Sequence, residues 1–301
     1  MSTILEQNRL SPPRSFATMG KMAAQGMQGA AATAMYVAQG ARVCVVSCTG
    51  GERGDVLNET LKHDPHIQRD IAQVRRDEMA AAAAALGVEH VWLGFVDSGL
   101  PEGDPLPPLP EGCFALVPLE EASAPLVEIV RDFRPHVMTT YDPSGGYPHP
   151  DHIRCHEISK LAWDVSGDAE AYPEARKPWA IGKLYYESIF NPERMVRVYE
   201  TLRERDPESP LIAQFEAMMD RFFDRPSDVT TRVEVGRFFD RRDEALRAHA
   251  SQVAPDSSFF FWPNELQREA WPSEDYRLAA SRVATSEFET DLFQGITEEQ
   301  A

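Results

Sequence analysis

The hydrophobic pattern of the first half of the chain switches repeatedly between two periods. Residues 41–48 are a β-branched apolar run that stops at Gly50 and Gly51, which predicts a buried strand followed by a loop. Residues 68–86 are rich in Ala, Arg, Glu and Met and are followed by Gly87, which predicts a helix closed by a glycine cap. Residues 90–95 read as a second strand, 119–133 as a helix and 135–140 as a third strand. Five prolines between 101 and 110 forbid either element and predict a rigid loop. This alternation predicts an α/β fold with a Rossmann-like, mainly parallel sheet flanked by helices. The second half is less regular. Residues 183–189 and 229–235 read as strands, 192–223 as mostly helical and 237–252 as a helix, giving a smaller α+β C-terminal portion. The expected organisation is a flexible segment at 1–13 and one domain over 14–301. Its core covers about 14–165, and the C-terminal portion about 166–301.

Sites in parallel sheets lie beyond the carboxyl ends of the strands. The loops after Cys48, Phe95 and Thr140 meet that condition. The third carries Gly145-Gly-Tyr-Pro-His-Pro-Asp-His152, with two histidines and a carboxylate inside four residues. If a helix starts near Pro150, His149 and His152 lie together at its first turn. That spacing suits metal ligation or polarisation of a carbonyl, with Asp151 orienting an imidazole. The bland alternative is a pair of histidines lining a polar loop. Gly50-Gly-Glu-Arg-Gly54 lacks the glycine spacing of a nucleotide fingerprint, and no Walker lysine follows. A loop that sets Glu52 and Arg53 at a sheet edge fits a polyol or sugar better, and an ordinary turn equally well. Arg75 sits in a charged run inside the predicted helix, and Asp97 ends the second strand; alone, these read as a solvated face and a turn.

Composition narrows the class. A formal net charge of -18 argues against a nucleic-acid partner. The four cysteines, Cys44, Cys48, Cys113 and Cys155, form no close pair in sequence, which argues against a disulfide framework or a thiolate zinc site. No apolar run approaches the ~20 residues of a membrane span, and the start of the chain has no signal-peptide pattern, so a cytoplasmic location is expected.

Taken together, Thr49-Gly-Gly-Glu-Arg-Gly54, Val74-Arg-Arg-Asp-Glu-Met79, residues 86–100, 133–142 and 145–156, Arg247-Ala-His-Ala-Ser-Gln252 and the 289–295 tail carry a resemblance. They resemble the LmbE-like (PIG-L) family of zinc-dependent N-deacetylases, and within it the branch acting on mycothiol S-conjugates. The resemblance runs from about Gly29 onward. It implies a Rossmann-like domain holding one zinc ion. The implied reaction is hydrolysis of the amide between glucosaminyl-inositol and an S-substituted N-acetylcysteine, which detoxifies trapped electrophiles. By the resemblance His152 is a zinc ligand. His149 polarises the scissile carbonyl or holds the oxyanion, with Asp151 behind it, and Tyr147 touches the substrate. Glu52, Arg53, Arg75 and Asp97 line the sugar pocket.

The chain departs from the family at its other half-site. The family's His-Pro-Asp-Asp-Glu motif, counted back from Gly29, falls on Lys21-Met-Ala-Ala-Gln25. Lys21 and Ala24 stand at the two remaining ligand positions and Ala23 at the general base. Residues 1–48 contain no histidine and one carboxylate, Glu6. Where the family has a basic residue just before the glycine, this chain has Gln28. His63 and His66 lie in the loop region beyond Gly54 and are the candidates for a relocated metal site; His156 reads as packing. Two readings follow. One is a working zinc amidase. The other is a silent relative that keeps the conjugate pocket, binds zinc poorly and turns over slowly or not at all.

Overall fold

A computed structural model describes residues 14–20, 29–188, 191–219, 226–255, 257 and 262–297. Seven strands form one sheet in the order β3-β2-β1-β4-β5-β7-β6. The first five strands in that order are parallel: β3 (Glu89–Phe95), β2 (Arg42–Thr49), β1 (Ser15–Gly20), β4 (Val137–Thr140) and β5 (Lys183–Glu187). β7 (Ser273–Ser281) runs antiparallel to β5, and β6 (Thr231–Glu234) antiparallel to β7. The C-terminal portion thus extends the same sheet. Segment 1–13, expected to be flexible, lies outside the described residues.

Both faces of the sheet are covered, which is why its central strands are apolar at successive positions. Phe16, Val43, Val137 and Tyr185 point to one face, packing with Ala31, Ala32 and Tyr36 of α1 (Ala30–Ala38). Their chain neighbours Ala17, Cys44, Met138 and Leu184 point to the other. There they meet α4 (Leu119–Phe133) through Leu126 and Val130, and α5 (Pro150–Val165) through Ile158 and Ala162. Strand periodicity of two sorts the side chains in this way. All four cysteines are free and buried.

The helix expected over 68–86 is two helices, α2 (Pro65–Arg69) and α3 (Ile71–Leu86). Asp70 leaves helical geometry between them, and its carboxylate accepts from the Gln73 N–H to cap α3. The helical stretch from Pro192 divides likewise into α6 (Pro192–Arg205) and α7 (Leu211–Met219), with Pro210 between; 220–223 lie outside the described residues. The helix expected over 237–252 is the shorter α8 (Phe239–Ala248), and α9 (Asn264–Ala270) follows. Among the described residues no helix is long and apolar enough to cross a membrane.

The chain order places the site. From β1 the sheet grows through β2 to β3, and then β4 returns to the other side of β1. The crevice at such a reversal is where doubly wound sheets bind ligands. The His149 loop follows β4.

Candidate active site

α5 starts at Pro150, the condition on which the reading of His149 and His152 as neighbours depends. Pro150 occupies its first turn and His149 is the N-cap. The His149 Nδ1 accepts a hydrogen bond from the Asp151 backbone N–H at 3.1 Å. A ring nitrogen that accepts carries a lone pair, so neutral His149 holds its proton on Nε2. His152 is set the opposite way. Its Nδ1 lies 2.8 Å from the Gly145 carbonyl. A carbonyl only accepts, so Nδ1 carries the proton and Nε2 the lone pair. Adjacent histidines therefore present opposite chemistry: His149 a donor suited to a developing oxyanion, His152 a lone pair suited to a metal or proton.

Packing holds both rings. His152 stacks on Tyr141 with centroids 4.2 Å apart, and His149 stacks on His152 at 5.2 Å. Tyr147 meets His152 edge-on at 4.7 Å and remains 37% exposed, so it can reach a ligand. Gly145 allows the turn. Its φ is 75°, and a Cβ there would sit 2.7 Å from the His152 Cβ.

The three loops read as site-bearing are tied together by carboxylates. Asp151 Oδ2 accepts from the Ser98 N–H at 3.2 Å, joining the loops after β4 and β3. Glu52 Oε1 accepts from the Asp97 N–H at 2.8 Å, and Asp97 Oδ2 from the Arg53 N–H at 3.2 Å, joining the loops after β3 and β2. Arg75 lies beneath, 1% exposed, with Nη2 donating to the Gly54 and Asp55 carbonyls at 2.8 and 3.0 Å. Its Nε and Nη1 have no hydrogen-bond partner among the described residues. The structure thus brings Glu52, Arg53, Arg75 and Asp97 together, with the backbone of the loops as their chief partner. Beside Arg75 sits His249, from the 247–252 motif. Burial, with His90 and Arg75 nearby, lowers its pKa to about 4.

Other residues read as candidates fall elsewhere. His63 and His66 are exposed on and beside α2. His156 packs below the loop, its Nδ1 3.0 Å from the Tyr141 carbonyl. Lys21, Ala23, Ala24, Gln25 and Gln28 lie outside the described residues.

One residue that sequence reasoning passed over belongs to this end of the sheet. Glu187 closes β5, and its Oε1 accepts from the Thr18 and Thr139 hydroxyls at 3.2 and 3.1 Å. Burial, against those hydrogen bonds and with Glu274 adjacent, lifts its pKa to about 8. Glu274 takes the N-terminus of α1 from β7, accepting from the Ala31 and Ala32 N–H groups at 3.1 and 2.8 Å. The signal for Glu187 was available: a carboxylate at the carboxyl end of a recognised strand.

The fold and this crevice define an α/β protein with a ligand site at the carboxyl ends of its parallel strands, and comparison with known proteins shows the family. The family model described as "GlcNAc-PI de-N-acetylase" (PIG-L) matches residues 26–163. A mycothiol S-conjugate amidase of Streptomyces coelicolor is 50% identical over 90% of this chain and 93% of its own. A 1D-myo-inositol 2-acetamido-2-deoxy-alpha-D-glucopyranoside deacetylase of Geodermatophilus obscurus is 37% identical over 88% of this chain and 92% of its own. Among solved structures, N,N'-diacetylchitobiose deacetylase of Pyrococcus horikoshii shares the fold, with a TM-score of 0.59 at 17% identity, covering 92% of this chain and 88% of that one. The chain belongs to the PIG-L family.

Proposed function

We propose that this chain recognises S-conjugates of mycothiol through the family's sugar and acyl pockets, and that it hydrolyses their amide slowly or not at all. The substrate class is supported by the half-identical amidase relative, whose likeness spans nearly the whole chain. Glu52, Arg53, Arg75 and Asp97 are the residues proposed for the glucosaminyl-inositol half. His149, with Tyr147 beside it and Asp151 behind, is proposed to bind the amide carbonyl.

The observation that carries the catalytic half of the proposal is the donor set. The family implies zinc, and a catalytic zinc takes about three protein ligands. His152 offers one lone pair. Lys21 and Ala24 stand where the other two ligands belong, and residues 21–28 contain no histidine, cysteine or carboxylate. Among the described residues no group of three His, Cys, Asp or Glu side chains is placed to hold a metal ion. These residues do not fit the group, so no catalytic step is drawn through it. An unassisted water keeps a pKa near 15.7. Ala23 also removes the general base, a further loss of about 10²–10⁴-fold.

Metal analysis of the purified chain and an amidase assay with the bimane conjugate of mycothiol test this. The expected result is substoichiometric zinc and turnover at least about a hundredfold below the triple variant Lys21→His, Ala23→Asp, Ala24→Asp. Near-stoichiometric zinc with rapid turnover in the unaltered chain overturns the proposal. A triple variant that stays metal-free overturns the assignment of those three positions.

A further inference from the structure

A second cleft opens on the other side of His149 from the sugar residues. It has a volume of about 180 Å³ and lies beyond the ends of β4 and β5. Asp142 and Gly146 line it from the His149 loop, Tyr186 and Glu187 from β5, and Asp228 and Arg277 from the β7 side. Gly146 directly precedes Tyr147, so the cleft borders the reacting position. In the sheet order, β1 stands between β4, which borders this cleft, and the strands β2 and β3 whose loops carry Glu52 and Asp97.

That arrangement matches the geometry of an amide. Its substituents leave the planar, trans bond in opposite directions. If the amino-sugar half lies over the β2–β3 loops, as proposed above and on which this inference rests, the acyl half points toward β5 and β7. The cleft is smaller than the roughly 300–1,000 Å³ of pockets that engulf a whole drug-sized ligand. It suits one arm of a molecule.

Its walls are mixed in chemistry and net negative. Arg277 pairs with Asp228 and lies 5.0 Å from the centroid of the Tyr186 ring. Asp142 Oδ1 is taken by the Ser144 N–H and hydroxyl and by the Gly146 N–H, at 2.7, 2.6 and 3.2 Å. Asp142 and Asp228 outweigh Arg277 whichever way Glu187 stands. Such a lining accepts hydrogen bonds from an acylamino N–H, stacks an apolar substituent on Tyr186, and opposes an anion.

We infer that this cleft is the acyl-side subsite, that it receives the S-substituted N-acetylcysteinyl arm, and that Asp142 and Asp228, only partly offset by Arg277, select against anionic S-substituents. The experiment is calorimetric titration of the full chain with four probes. These are glucosaminyl-inositol alone and mycothiol conjugates bearing bimane, carboxymethyl or trimethylammonioethyl groups on sulfur. The unaltered chain should bind the carboxymethyl conjugate roughly tenfold more weakly than the other two conjugates. Asp228→Asn should narrow that gap to within about threefold and Arg277→Ala should widen it, while glucosaminyl-inositol affinity stays unchanged in both. Retained glucosaminyl-inositol binding also reports that each variant is folded. If that probe binds normally but neither variant changes the gap between the carboxymethyl conjugate and the other two, the subsite is overturned and the proposed function stands. If neither the probe nor any conjugate binds the unaltered chain, the proposed function fails and the subsite with it.

Discussion

The two flanks of β1 hold histidines on one side and glutamates on the other, and burial moves their pKa values in opposite directions. On the β2–β3 side, burial drives the pKa of His90 and of His249 down to about 4. On the β5–β7 side, burial drives Glu187 up to about 8 and Glu274 up to about 7. Desolvation disfavours whichever form is charged, so bases fall and acids rise. Each flank is thereby pushed toward neutrality. What differs is where the carboxylates find partners. Glu52 and Asp97 are held by backbone N–H groups of neighbouring loops, whereas Glu187 has two threonine hydroxyls and faces a cleft. The first arrangement ties loops together; the second leaves a group available at the margin of a pocket.

The comparison breaks most completely at the residue between the flanks. Gly145→Ala forces a Cβ to within 2.7 Å of His152 at a φ of 75°. It should cost about 4 kcal/mol in urea unfolding and abolish conjugate binding. Next is Glu187→Gln. The Glu187 carboxyl is raised in the fold, so its contribution is full below its ordinary 4.5 and is lost as pH rises through about 8. The variant should match the parent near pH 4.5 and gain on it by on the order of 3 kcal/mol at pH 8.5, measured by unfolding at each pH. His249→Gln probes the other flank, where the sign reverses. The His249 imidazole is lowered from 6.5 to about 4, so its contribution is full above 6.5 and is lost as pH falls through 4. The parent should lose about 2 kcal/mol between pH 7 and 4.5 that the variant does not lose. Smallest is Glu52→Gln, which keeps an acceptor for the Asp97 N–H and removes its charge. About 1 kcal/mol is expected, visible as a lowered Tm.

Much of the layout was legible where periodicity and burial agree. β2, β3, β4 and α4 follow from apolar runs and their glycine or proline punctuation, and the start of α5 follows from Pro150. β7 was not read, because Ser273–Ser281 buries Glu274 and Asp275 and so shows no apolar alternation. The break between α2 and α3 depends on one residue, Asp70, leaving helical geometry, which composition does not signal. At the site, the histidines and loop carboxylates stood out as residue types. Their roles did not: the opposite tautomers of His149 and His152 depend on one backbone N–H and one carbonyl that only the fold supplies. The cleft at Glu187 draws on four separate stretches of chain, and no local pattern announces it.

The clamp on His152 also bears on folding. Tyr141 stacks on this imidazole, Gly145 receives its proton, and its Cβ leaves no room for a larger residue at 145. Replacing His152 would unsettle a buried turn whether or not any reaction depends on it. The imidazole thus has a structural task in the turn that is separate from any catalytic one. A chain without the reaction would still need this half of the site to fold.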